Sequence, residues 1–205
     1  MKFITFSGVD GSGKSTQLAL LREKLERENW NVAYFHAVEF SLANRIARFF
    51  QGQKIFEPGK EKAVTKASWF SVVLREKFLL WDMFRFRLFL RRLRKENCDY
   101  LLSDRSFYDS LVNLAYLSEQ TVLFSWLTRL ELRFLETIVP QADTALYFDI
   151  APEIIMTRAS APEQGIGYLR TKTDLFRKKI SEWNLIVIDA DRNKESIFQD
   201  ILAKI

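Results

Sequence analysis

TFSGVDGSGKSTQLALL, residues 5–21, is the stretch on which the reading of this chain turns. Within it, Gly8-Val9-Asp10-Gly11-Ser12-Gly13-Lys14-Ser15 matches G-x-x-x-x-G-K-[ST], the P-loop pattern. An apolar, β-branched run (2–7) precedes the loop. A helical pattern with Leu18, Leu21 and Leu25 on one face follows it. Strand, glycine loop, helix is the order the motif needs. The glycines let backbone N–H groups curl around phosphates, and the helix N-terminus adds positive potential. On this reading Gly8, Gly11, Ser12 and Gly13 cradle nucleotide phosphates, and Lys14 reaches the β- and γ-phosphates. Ser15 holds Mg²⁺, and Thr16 supports the same loop end.

Outward from the loop, apolar runs at 31–36, 99–103, 144–150 and 185–190 read as four further strands. Helical patterns fall at 14–30, 41–50, 61–96, 107–118, 120–137, 168–182 and 193–204, with a short helix from Pro152 to Ser160. Gly and Pro mark a loop at 51–60, and SAPEQGIG (160–167) is a break. Strands alternating with helices predict an α/β fold: a five-stranded parallel sheet with helices on both faces. Ligands in such folds sit outside the carboxyl ends of the strands. With 205 residues and no linker-like stretch, one domain over 1–205 is expected.

Composition narrows the function classes. Hydrophobic residues make up 48% and Phe numbers 18, which predicts a Phe-rich core. No signal peptide is read at the N-terminus, and charges interrupt every apolar segment before membrane-spanning length. Cys98 is the lone cysteine, which fits a reducing, cytoplasmic setting, and a single His36 rules out a multi-histidine metal site. The net charge of +5 is concentrated in residues 83–95, MFRFRLFLRRLRK, where Arg85, Arg87, Arg91, Arg92, Arg94 and Lys95 meet no acid. Such a helix face is either a solvated surface or a site for phosphates or nucleic acid.

A second marked stretch is YLLSDRSFYDS (100–110). Asp104 lies just past a hydrophobic strand, where an acid meets the Mg²⁺ of a P-loop, and Arg105 is placed to contact transferred or acceptor phosphate.

At this point the chain resembles the thymidylate kinase family of nucleoside monophosphate kinases. FSGVDGSGKSTQ is similar to that family's P-loop, including the acid at Asp10. SDRSFYDSLVNLAY resembles its Asp-Arg motif with Ser110 and Ala115-Tyr116, and ALYFDIAPEIIMTR its fourth strand, Pro-led helix and Arg158. LIVIDADRNKESIFQDI resembles its last strand and helix, whose connecting turn lies against adenine. The resemblance implies a P-loop kinase with ATP and Mg²⁺ as donor system and dTMP, phosphorylated to dTDP, as the leading acceptor. It implies that Asp10 contacts the acceptor sugar, that Arg105 bridges the two phosphoryl groups, that Ser110 and Tyr116 belong to the acceptor site, and that a lid spans about 159–168. It also implies a homodimer through helices, which those at 107–137 would allow, and no role for nucleic acid or membrane.

The chain departs from the family pattern in places. The acceptor-phosphate Arg expected after the second strand is replaced by HAVEFSLANRI (36–46), leaving Arg45 as the nearest candidate. The base-reading Arg falls at Met83, with Arg87 one turn on the same face and Arg85 pointing elsewhere. Leu117 stands where a Gln is expected, and neither lid nor P-loop holds an Arg. Arg158, with Arg170 second, is then the cation expected at the transferring phosphoryl group. A deoxynucleoside kinase is the alternative, since DRS (104–106) also fits that motif and Glu39 follows the second strand where a base for a 5′-hydroxyl would sit. A P-loop protein that binds nucleotide as a switch or scaffold, without this activity, is the other.

Overall fold

The computed structural model describes residues 1–42, 69–119, 126–158 and 161–205. The expected helix at 41–50, the 51–60 loop and Arg45 fall largely or wholly outside these residues. Five strands, β1 (Lys2–Ser7), β2 (Val32–His36), β3 (Tyr100–Asp104), β4 (Thr144–Asp149) and β5 (Ile186–Asp189), form one parallel sheet in the order β2-β3-β1-β4-β5. The helices are α1 (Lys14–Arg27), α2 (Ala37–Phe40), α3 (Trp69–Lys95), α4 (Phe107–Glu119), α5 (Trp126–Ile138), α6 (Pro152–Met156), α7 (Gly165–Lys179) and α8 (Lys194–Leu202). α1 lies on β1 and β3 and packs against α8, which lies on β5, while α3, α4 and α5 pack on one another, and α7 on α4 and α6.

The central strands are buried along nearly their whole length, as expected of a parallel sheet covered on both faces. Ile4, Phe6, Leu101, Leu102 and Leu146 are inaccessible to solvent. The core is Phe-rich, as the composition predicts: the Phe86 ring meets Phe3, Phe35 and Phe107 at centroid distances of 5.4, 4.5 and 5.2 Å.

Helix ends depart from the sequence reading by a few residues, with identifiable causes. α1 stops at Arg27 rather than Trp30 because Asn29 turns left-handed at φ 63°. Asn97 and Asn184 do the same after α3 and α7, at 54° and 49°. Asn tolerates this conformation better than most residues, so each helix closes and the chain turns into β2, β3 or β5. From Trp69 to Lys95, α3 runs as one helix, and α2 is a single turn not expected from the pattern.

The register sets Phe6 of β1 and His36 of β2 level with Asp104 of β3. The P-loop and the Asp104–Arg105 turn therefore leave adjacent strands at the same height. No helix among the described residues is long and apolar enough to cross a membrane.

Candidate active site

The P-loop is held tightly enough that two of its glycines admit no side chain. A Cβ on Gly8 would lie 2.9 Å from the Phe148 carbonyl oxygen, and one on Gly11 2.7 Å from Ile155 Cγ2. Both have positive φ, 143° and 82°. Lys14 is buried, and its ammonium spans the loop, donating to the Val9 carbonyl at 2.7 Å and the Ser12 hydroxyl at 3.2 Å. Burial lowers its pKa, helped by the Arg105 charge and resisted by Asp10, Asp109 and Asp104. An anion at the loop would relieve that penalty. The Ser15 hydroxyl donates to Asp104 Oδ2 at 2.6 Å.

The β3–α4 turn carries the second half. Arg105 adopts a left-handed backbone at φ 69°, which costs a side-chain-bearing residue about 1 kcal/mol. Its N–H on the Phe6 carbonyl (3.0 Å) and its own carbonyl under the Ser103 hydroxyl (2.7 Å) hold it there. The turn aims the guanidinium across the sheet to an ion pair with Asp10. Burial opposes ionisation of both partners, yet the pair prevails. Asp10 falls well below the usual carboxylate range under Arg105, Lys172 and Lys14, and Arg105 rises under Asp10, Asp109 and Asp104.

Asp109, which the sequence reading did not single out, locks the two halves together. Its buried carboxylate accepts from the Gly8 N–H (3.2 Å) and from the Ser106 N–H and hydroxyl (2.8 and 3.1 Å). Ser106 in turn caps α4 by accepting from the Tyr108 N–H at 3.1 Å, and its hydroxyl meets that of Ser7 at 2.8 Å. Ser106-x-x-Asp109 has the spacing of a capping box, the signal that would have found it.

The remaining expected residues divide. Arg158 is at the P-loop: it donates to the Gly11 carbonyl at 2.6 Å and to the Ala190 carbonyl at 3.5 Å, tying the loop to the turn after β5. Arg170 is not; it pairs with Glu153 on the exposed side of α7. Tyr116 is buried and packs edge-on against Tyr168 at 5.1 Å, and Ser110 follows Asp109 on α4. Thr16 is exposed on the first turn of α1.

Arg87 is not brought to the site. It is exposed and donates to the Ile138 carbonyl at 2.6 Å, at the end of α5 that leads into β4, toward the amino ends of the strands. Arg85, expected to point elsewhere, reaches the end of α2, the turn of helix that follows β2. It pairs with the buried Asp82 at 2.8 Å, donates to the Phe40 carbonyl at 3.2 Å and covers the Phe40 ring. The buried arc of α3 runs through Leu79, Asp82, Met83 and Phe86, and Arg87 lies past its edge although it is four residues from Met83. Tyr168 and Lys172 on α7, also unforeseen, stand beside Asp10.

Among the described residues no group of three or more His, Cys, Asp or Glu could form a metal cluster. The Ser15 hydroxyl and Asp104 carboxylate are nevertheless hard oxygen donors in contact, a set suited to Mg²⁺, which fills its shell with water and phosphate oxygens.

No family model matches the chain. It is 30% identical to a thymidylate kinase of Ralstonia nicotianae, over 98% of this chain and 95% of that protein. It is 25% identical to a probable thymidylate kinase of Pyrobaculum aerophilum, over 98% and 94%. The crystal structure of thymidylate kinase from Ehrlichia chaffeensis superposes with a TM-score of 0.61, at 17% identity, covering 98% and 97% of the two chains, and shares the fold.

Proposed function

Because the chain belongs to the thymidylate kinase family, we propose that it transfers the γ-phosphoryl group of ATP to dTMP, giving dTDP and ADP. The observation that carries this reading is the Asp10–Arg105 pair set beside Lys14, since it joins a donor-phosphate loop to further buried cations. A monophosphate acceptor brings two negative charges that a nucleoside lacks, and Arg105 and Lys172 are cations beyond those that ATP requires. Lys14 holds the donor phosphates. Arg105 lies where donor and acceptor phosphoryl groups meet, and Asp10 accepts from the acceptor sugar. Arg158 adds positive charge at the rim of the loop. Ser15 and Asp104 would hold Mg²⁺, which when bound neutralises charge on the donor phosphates. Positioning and electrostatics of this kind account for most of the catalysis of phosphoryl transfer.

The test is ADP release with a panel of nucleosides and nucleoside monophosphates. Acceptor-dependent turnover with dTMP supports the reading. Turnover with thymidine or deoxycytidine and with no monophosphate would replace it by the nucleoside kinase alternative.

The same reading includes a homodimer and a cytoplasmic setting, the latter resting on a single free, buried thiol, Cys98. The sequence pointed to helices at 107–137 for the dimer. α4 is largely buried, but Leu130 and Phe134 of α5 stand exposed beside Leu80 of α3, and α3 also exposes Phe70, Leu74, Trp81, Phe84 and Leu88. Sedimentation at micromolar concentration reads the mass, and a monomer would exclude the dimer.

A further inference from the structure

α7 carries a buried lysine that the P-loop chemistry does not use. Lys172 is 4% exposed and shares the inner face of the helix with Tyr168, Leu169, Thr173 and Phe176. Its ammonium donates to the Tyr168 hydroxyl at 3.0 Å and lies 4.9 Å from the centre of that ring. The Tyr168 hydroxyl stands beside Asp10, and Asp10 pairs with Arg105. Tyr116 of α4 packs edge-on against the Tyr168 ring and fixes it. A continuous line of polar groups therefore runs from the helix that follows residues 159–164 to the P-loop and the β3–α4 turn. Packing alone does not call for the charge, because an apolar side chain of similar length would fill the same space without desolvating an ammonium.

We propose that Lys172 is a positioning residue of the acceptor site. Acting through the Tyr168 hydroxyl, it holds the Asp10 carboxylate where the acceptor sugar meets it, and it adds a cation beside the Asp10–Arg105 pair. This rests on the reading that the acceptor nucleotide sits against Asp10 and Arg105.

The arrangement has a pH signature. The groups facing Lys172 are Asp10 and Lys14 from the P-loop and the start of α1, Arg105 and Asp109 from the β3–α4 turn and α4, and Tyr116 and Tyr168. On the other side of α7, Glu153 of α6 is taken up by Arg170. Burial pushes the Lys172 amine down to about 8, with Asp10 and Asp109 resisting and Arg105 and Lys14 assisting. The amine is charged below that pH and neutral above it. Affinity for an anionic acceptor therefore falls as pH rises through about 8.

Lys172→Met and Tyr168→Phe test this, with KM for dTMP, KM for ATP and kcat measured across pH about 6.5–9.5. Lys172→Met is expected to raise the dTMP KM roughly tenfold or more, the range for a lost charge-assisted contact, with a much smaller change in the ATP KM. The alkaline fall in kcat/KM for dTMP, centred near 8 in the wild type, should be absent from the variant. Tyr168→Phe should reproduce the rise in dTMP KM, and it decides alone if Lys172→Met does not fold. A dTMP KM within twofold of wild type, or a loss shared equally with ATP, overturns the inference while the proposed reaction stands. A wild-type enzyme that turns over no monophosphate overturns both.

Discussion

Replacing Arg105 by methionine separates the two things its guanidinium does. Methionine keeps an unbranched stem and makes the same demand on the left-handed backbone, so only the charge and its hydrogen bonds are lost. Each partner of the Arg105–Asp10 pair is 23% exposed, and Asp10 keeps Lys172, Lys14 and the Tyr168 hydroxyl as neighbours. The cost in stability should therefore be about 1–2 kcal/mol, below the 3–5 typical when a fully buried pair is broken. For a chain of this size each kcal/mol shifts Tm by roughly 2–4 °C. The catalytic loss should be larger, about 10²–10³ in kcat, the range for removing one preorganised donor to a reacting oxyanion. Asp10 supplies an internal check. In the wild type its pKa lies below 3.8, so its contribution to stability is fully present above that pH and is lost as pH falls through the lower, folded-state value. Without Arg105 that pH-dependent contribution should shrink, seen as a shallower loss of Tm below pH 4 than in the wild type. Steady-state kinetics with saturating dTMP, paired with thermal melts, measure both effects. A folded variant with lowered Tm but kcat within threefold of wild type would make Arg105 a strut of the fold and remove it from the transfer step.

Lys14→Ala should lower kcat by about 10²–10³ without lowering Tm, since it removes a buried ammonium whose charge the fold disfavours; near-normal turnover by the folded variant would take the P-loop out of the mechanism. Gly11→Ala should raise the ATP KM and lower Tm, and Ile155→Ala, which empties a fully buried site, should lower Tm less on that background than in the wild type because it removes the Cγ2 that the new methyl meets at 2.7 Å. Equal losses on both backgrounds would mean that φ strain alone, and not this contact, sets the cost of Gly11→Ala. Glu76→Gln should stabilise the protein above neutral pH. Glu76 is buried on α3, neither of its oxygens meets a donor among the described residues, and burial beside Glu131 pushes its pKa up to about 8 from 4.5. The wild type therefore loses stability as pH rises from 4.5 toward 8, and the Gln variant should not; parallel Tm–pH curves would refute this.

The donor half of the site was legible because it is local in sequence. Eight consecutive residues state the loop, and the strand before it and the helix after it come from periodicity in the same short window. Asp104 and Arg105 were legible for a related reason: they end an apolar run, and a parallel sheet puts every strand end of that kind on one side. The register of β3 beside β1 then brings Asp104 to Ser15 without any further condition. What the pattern could not convey was that Arg105 turns back through a left-handed residue to reach Asp10.

The acceptor half depends on helix phase, and there sequence distance misleads. Arg87 was placed by its spacing of four from Met83, yet the buried arc of α3 passes through Asp82 and Phe86, so Arg85 is the arginine that turns to the end of α2, the turn of helix after β2. Lys172 shows the same physics from the other side. It is four residues from Tyr168 and four from Phe176, so it stands in the apolar register of α7, a place where lysine is rarely found unless something answers its charge. That mismatch was visible in the residues, but its answer, Asp10, lies at the far end of the chain and joins it only through the folded sheet. A positive charge in an apolar register is therefore a sequence signal for an anionic partner, although the partner cannot be named until the topology is known. In this chain Asp10, Asp109 and the acceptor that Asp10 is proposed to hold are anions within its reach. The shift in dTMP affinity on removing Lys172 measures how much of its charge is directed at the acceptor.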